Sequence, residues 1–181
     1  MFNTNYRYFQ EDNELLGIFC NRKEHDKTTY KFNVNAALDI FEDSKIKERI
    51  NKMINTFPGT LWNSEKHRMN MSEAEYNLGF HQHRNTRKYY AALYLMMVNV
   101  DLAEKSSYCF CRDCLDFSKL RLKGISPENY TLLMAAKQFY TGKNYISYDD
   151  LANPEVIDDD AFRLIMNAFI IMRMGIKFFE K

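Results

Sequence analysis

Three of the four cysteines in this chain of 181 residues fall in the stretch SSYCFCRDCLDF at 106–117, as Cys109, Cys111 and Cys114. Zinc asks for four ligands near a tetrahedron, and thiolates two to four residues apart can be aimed at one ion by a single turn of chain. A fourth ligand would have to come from His67, His81, His83, Asp113 or Asp116. No second C-x-x-C and no matching histidine pair exists, so the three cysteines are not expected to hold a metal jointly. They read instead as small thiols in a core flanked by Phe110, Leu115 and Phe117, since free cysteine is among the most buried residue types. The segment is weakly helical by pattern; as a helix it would put Cys111 and Cys114 on one face and Cys109 on another. A redox C-x-x-C of the thioredoxin type opens a helix after a strand, and no strand precedes this one.

The most basic stretch is GFHQHRNTRKYY at 79–90. His81 and His83 diverge on a helix, which disfavours a shared metal. With Arg84, Arg87 and Lys88 they could meet phosphates or an acidic protein surface, and Tyr89 and Tyr90 could stack on bases. A second polar cluster, RKEHDK at 22–27, offers Arg22, Lys23, His25 and Lys27 for a partner of mixed polarity. Asp149 and Asp150 lie in a polar loop. Asp158 to Asp160 are explained by helix capping and the macrodipole. There is no G-x-S-x-G, P-loop, G-x-G-x-x-G or H-E-x-x-H pattern, so no catalytic residue and no cofactor is assigned.

These residues need elements to position them. LLGIFCN (15–21) and TTYKFNV (28–34) are rich in β-branched and aromatic residues; Tyr30, Phe32 and Val34 alternate with Lys31 and Asn33. The pair predicts an N-terminal β-hairpin over 15–34 closed by the 22–27 loop. Asn35 is then expected to cap a helix running to Phe57, with PGT at 58–60 as its stop. LWNSEKHRMNM reads as a polar connector. Ser72 and Glu75 have capping-box spacing for a helix over 73–98, broken near Gly79 or Asn85, whose second half, KYYAALYLMMV, is apolar nearly all round. Ser126, Pro127 and Gly142 bound a further helix, and Asp158 and Gly175 the last one. The expected fold is α+β and mostly helical: the hairpin followed by a compact bundle of four to five helices. Residues 1–60 would form a hairpin-plus-helix unit and 61–181 a helical core domain. That core is expected around Leu93, Met96, Met97, Leu133, Ala136, Phe139, Leu164, Ile165 and Phe169.

Composition agrees with a folded helical chain. Apolar residues make up 46% and aromatics 15%, which a disordered chain would lack, while 6 Gly and 3 Pro are too few for a loop-rich sandwich. The net charge of +1 gives no overall field for nucleic acid. No apolar run reaches the ~20 residues of a membrane span. The first residues, MFNTNYRYFQEDNELL, lack a basic segment followed by an apolar one, so a cytoplasmic protein with reduced cysteines is expected.

Taken together, YYAALYLMMVNVDL, LDFSKLRLKGISPENY and TLLMAAKQFYTG resemble the core of a family of small uncharacterised proteins encoded by phages and mobile elements of Gram-positive bacteria. The shared features are a tyrosine-rich helix with an Ala-Leu pair, a DF followed by a short segment, a Leu- and Ala-rich helix ending in aromatic-x-Gly, and a closing helix such as DDAFRLIMNAFIIMR. The resemblance covers the C-terminal half. The cysteines and the N-terminal part depart from the pattern. What the resemblance implies is a phage origin and a protein that acts by binding, inhibitors of CRISPR nucleases being one such group. The expected function is thus a non-catalytic interaction module, an inhibitor of a host protein or protein–RNA defence complex. The alternatives are a nucleic-acid-binding regulator, using 81–90 with Lys119, Arg121 and Lys123, and a metal-dependent nuclease with a scattered site.

Overall fold

The computed structural model describes residues 27–175. They form eight α-helices: α1 (Lys27–Leu38), α2 (Ser44–Asn55), α3 (Glu65–Leu78), α4 (Arg87–Met96), α5 (Val100–Ser106), α6 (Pro127–Thr141), α7 (Tyr148–Ala152) and α8 (Asp159–Met174). Two short 3₁₀ turns, Ser107–Cys109 and Phe117–Lys119, lie between α5 and α6. Among the described residues there is no strand, only an isolated antiparallel bridge between Phe110 and Leu115.

The expected α+β class is therefore corrected to an all-helical one over this region. Residues 15–26 of the expected hairpin lie outside the described residues, but its second strand, 28–34, is the body of α1. The physical reason is that the alternating trio fits two periods. Tyr30 and Val34 are four apart, and with Ala37 and Leu38 they make a helical stripe that is fully buried. Phe32 discriminates: a strand would bury it beside Tyr30 and Val34, yet it is 72% exposed. The expected single helix 35–57 is likewise two helices. Asp43 interrupts it, its carboxylate accepting from the Lys45 and Ile46 N–H groups at 2.9 Å to cap α2.

The supposed connector 61–71 also changes character. Ser64 caps α3, its hydroxyl accepting from the His67 N–H at 3.1 Å, so the helix starts eight residues before the Ser72 capping box. Helix α3 is fastened to α4 by polar side chains. His67 Nε2 meets the Tyr94 carbonyl at 2.8 Å, and Asn70 Nδ2 donates to the Met97 carbonyl at 3.1 Å. Both carbonyls belong to the end of α4, where helical partners run out.

Helix α4 is the centre of the molecule. Every residue from Ala91 to Val98 is buried, and α4 packs on both α6 and α8, with α1 and α2 leaning on α8. The expected core residues Leu93, Met96, Met97, Leu133, Ala136, Phe139, Leu164 and Ile165 are all buried, and Phe169 packs partly buried against them. One core takes in residues from Tyr30 to Ile171, on both sides of position 60. The caps of α6 and α8 stand as the sequence indicates. Ser126 and Asp158 cap the starts, and Gly142 at φ 72° closes α6 in the left-handed region that favours glycine.

A buried polar cluster pins α1, α4 and α8 together. The Tyr30 hydroxyl donates to Asn167 Oδ1 at 2.9 Å, Asn167 Nδ2 donates to the Leu61 carbonyl at 3.4 Å, and the Tyr94 hydroxyl bonds the same carbonyl. Tyr30 stacks on Phe57 with ring centroids 3.6 Å apart. Removing one member of such a pair leaves a desolvated polar group, whereas removing both does not. Asn167→Leu is expected to lose about 2 kcal/mol of stability in urea melts, and adding Tyr30→Phe to recover part of that loss. Strict additivity of the two single losses would show that the bond contributes nothing.

Candidate functional site

The segment 79–88 links α3 to α4 and is built around Arg84. Gly79 ends α3 at φ 61°. The His81 carbonyl accepts from the N–H groups of Arg84 at 3.0 Å and Asn85 at 2.8 Å, which folds the chain into a turn. Arg84 lies only 2% exposed. Its guanidinium donates to the carbonyls of Leu78 at 3.0 Å, Gly79 at 2.5 Å and Cys111 at 3.3 Å, and rests 5.1 Å from the Tyr89 ring centre. Asn85 completes the frame, accepting from the His81 N–H at 3.0 Å and donating to the Tyr90 hydroxyl at 3.0 Å. Thr86 then caps α4 through the Tyr89 N–H at 3.3 Å.

The basic residues singled out in the sequence thus divide by role. Arg84 is an internal cross-link. Arg87 donates to the Arg173 carbonyl at 2.6 Å and caps the end of α8. Lys27 donates to the Asn55 carbonyl at 3.0 Å at the end of α2. His83 and Lys88 are exposed and His81 is half-buried. Arg22, Lys23 and His25 lie outside the described residues.

Beside this turn the structure places residues that the sequence reading passed over. Phe80 is 74% exposed, and Tyr76 and Met69 on α3 are exposed as well. Met69 and Tyr76 stand seven apart, two turns along one face, and Phe80 follows at the helix end. Starting α3 at Ser64 is what makes this stripe legible; with 61–71 read as a connector it has no period.

A cleft of about 490 Å³ opens on another part of the molecule. Phe41, Phe139, Tyr145, Tyr148, Ile165 and Phe169 line it, drawn from three stretches well separated in sequence, and no local motif announces it. Gln138 shapes its rim, its side-chain carbonyl accepting from the N–H groups of Tyr145 at 2.8 Å and Ile146 at 2.9 Å. Asp150 also borders the cleft, but its carboxylate is engaged in a capping box with the Ser147 N–H and hydroxyl at 2.9 and 2.8 Å. Those bonds hold its carboxyl below the usual range, so it serves the cap of α7. The aspartates of α8 are committed in the same way. Asp158 caps the Ala161 N–H at 2.8 Å, Asp159 pairs with Arg49 and Lys52, and Asp160 meets Arg163 at 3.4 Å.

The cysteine segment is a tight hairpin rather than the helix its pattern suggests. Asp116 N–H donates to the Cys109 carbonyl at 2.8 Å and Cys111 N–H to the Cys114 carbonyl at 3.0 Å, on either side of the Phe110–Leu115 bridge. Arg112 and Asp113 form a two-residue turn. Among the described residues no non-glycine residue has positive φ, so this is not a primed turn, and an unprimed turn splays its flanking strands, which suits a pairing that stops after one bridge. Cys109 is buried, and burial foremost pushes its thiol up to about 11. Among the described residues no group of three or more His, Cys, Asp or Glu side chains is placed to hold a metal ion. No described helix is long and apolar enough to cross a membrane.

No family model, no curated protein and no solved structure matches this chain.

Proposed function

We propose that the protein is a non-catalytic interaction module, and that it docks its partner through the surface where α3 ends. The observation that carries this reading is Phe80, a large aromatic left in water at the end of a stripe containing Met69 and Tyr76, with His81, His83 and Lys88 following it in the chain. Aromatic and methionine side chains at the centre of a patch with cationic groups at its rim are the composition of docking surfaces, and such aromatic anchors carry most of the binding energy. The rigid frame around Arg84 supports it, because a surface held in place before binding loses little freedom on binding. Lys88 at one end and Glu73 between Met69 and Tyr76 are both exposed, so the surface suits a partner of mixed polarity.

The resemblance of residues 89–142 to phage and mobile-element proteins supports the class of partner: a host protein or protein–RNA defence complex, such as a CRISPR nuclease, met in the bacterial cytoplasm. The matching residues of α4 and α6 are largely core residues, which fits a shared scaffold with a separate docking surface.

The test compares the wild-type chain with Phe80→Ala combined with Lys88→Glu as bait in a bacterial lysate, followed by kinetic binding to the partner so found. The variant is expected to bind at least about tenfold more weakly, with the charge change showing as a slower on-rate at low salt. Its melting temperature should stay close to wild type, since both residues are exposed. Unchanged affinity would place the docking surface elsewhere. Retention of nucleic acid alone, with a steep salt dependence, would favour the nucleic-acid-binding alternative.

A further inference from the structure

We propose that Cys111 and Cys114 form a redox-active dithiol, which closes to a disulfide at the tip of the 109–116 hairpin in exchange with a low-molecular-weight disulfide such as oxidised glutathione. The proposal is independent of the docking surface. The backbone sets the geometry. Cys111 and Cys114 face each other across the two-residue turn, with the Cys111 N–H bonded to the Cys114 carbonyl at 3.0 Å. Residues opposite each other on antiparallel strands have Cα atoms roughly 4.5–5.5 Å apart, inside the span that a disulfide bridges.

The two thiols have different surroundings. Lys119 Nζ lies 3.6 Å from Cys111 Sγ. It is held there by the 3₁₀ turn Phe117–Lys119 and by Asp116 at 3.4 Å, whose own carboxylate caps that turn through Ser118. This places an ammonium beside the sulfur assigned the attack, the step that uses the thiolate form of a cysteine. Cys111 is half-buried and Cys114 exposed. Arg84 bonds the Cys111 carbonyl and ties the hairpin to the end of α3, so the pair is held ready rather than brought together by chance. Cys109 is turned into the core and takes no part.

The exchange balances as follows. The Cys111 thiolate attacks one sulfur of glutathione disulfide, forming a mixed disulfide and releasing one glutathione thiolate. Cys114 gives its proton to that thiolate or to water. Its sulfur then attacks Sγ of Cys111, and the second glutathione leaves. Two cysteine thiols lose two electrons, and one glutathione disulfide becomes two thiols. A dithiol reverses the sequence.

The experiment uses the native full chain, glutathione disulfide as probe, tryptic digestion and mass spectrometry. Trypsin cuts after Arg112, between the two cysteines, so a disulfide leaves the fragments 106–112 and 113–119 joined. The joined pair is expected to form with loss of two hydrogen masses, to vanish with dithiothreitol, and to be absent from Cys111→Ser. In that variant Cys114 should hold glutathione as a stable adduct. Lys119→Met, in which the second fragment runs to Arg121, should slow formation of the joined pair by about tenfold and Lys119→Arg much less. A joined pair that persists in Cys111→Ser, or wild-type protein that stops at glutathione adducts, would overturn the proposal. Equal rates for wild type and Lys119→Met would remove the role of the lysine and with it the assignment of Cys111 as the attacking thiol.

Discussion

Replacing Arg49 by Met is expected to lower the unfolding free energy by about 4 kcal/mol, with the fold retained. Arg49 sits on α2 and is buried. Its guanidinium donates to the Leu151 carbonyl at 2.7 Å, the Ile157 carbonyl at 2.6 Å and Asp159 at 3.2 Å, and stacks 4.2 Å from the centre of the Phe162 ring. One side chain thus holds the end of α7, the 153–158 loop and the start of α8 against α2. Methionine keeps much of the apolar stem, so the loss isolates the fork of donors. Bonds from a charged donor contribute roughly 1.5–3 kcal/mol each, and carbonyls deprived of them stay desolvated. Lysine cannot replace the fork, because a single ammonium lacks the planar geometry that reaches two carbonyls at once. Lys52→Met is the matched control. Lys52 also pairs with Asp159 but is largely exposed, so its loss should stay under about 1 kcal/mol. Urea melts of the two variants decide the matter; equal small losses would show that the Arg49 fork does not hold this corner.

Lowering the pH from 7 to 5 is expected to remove about 2 kcal/mol of stability through His67 alone. His67 is buried between α3 and α4. Its Nδ1 accepts from the Asn63 N–H at 3.1 Å, which leaves Nε2 to carry the proton and donate to the Tyr94 carbonyl. The ring is packed edge-on to Trp62, with centroids 5.1 Å apart, and lies against Tyr94. Burial, which disfavours the charged form, pulls its pKa from the ordinary 6.5 down to about 4; the Tyr94 bond opposes this and the Arg163 charge adds to it. The sign follows from which state takes the proton first. Below pH 6.5 the unfolded histidine is protonated while the folded one is not, so the stability present above pH 6.5 is lost as the pH falls towards 4. Stopping at pH 5 keeps most ordinary carboxylates ionised. His67→Gln removes the titration and leaves a side chain that can still donate to Tyr94. Its stability should change far less over the same interval, whatever its absolute level. The same slope in both proteins would place the acid sensitivity elsewhere.

The contrast between α6 and α1 shows what could be read in advance. Ser126, Pro127 and Gly142 each act through their own backbone or the next few residues, and α6 begins and ends where they stand. The same holds for Asp158 and Gly175 around α8. The all-apolar run of α4 has only one place in a chain this size, the centre, and it lies there. These are local or compositional facts, and the amino-acid sequence by itself determined them. Tertiary structure decided the cases in which two readings were locally equal. Tyr30 and Val34 satisfy a strand and a helix alike; the helix wins, at the cost of leaving Phe32 in water, because Tyr30 can then stack on Phe57 and bond Asn167, which lies 137 positions away. In the same way Arg84 and Lys88 are equivalent as members of a basic run. Only the folded chain gives Arg84 three carbonyls and leaves Lys88 in water, because those carbonyls come from the end of α3 and from a hairpin 27 residues further on. The thiols follow the same rule. Spacing alone suggested a helix, whereas the bridge between Phe110 and Leu115 turned Cys109 inward and set Cys111 opposite Cys114, a pairing that depends on backbone partners and not on the identity of the cysteines themselves.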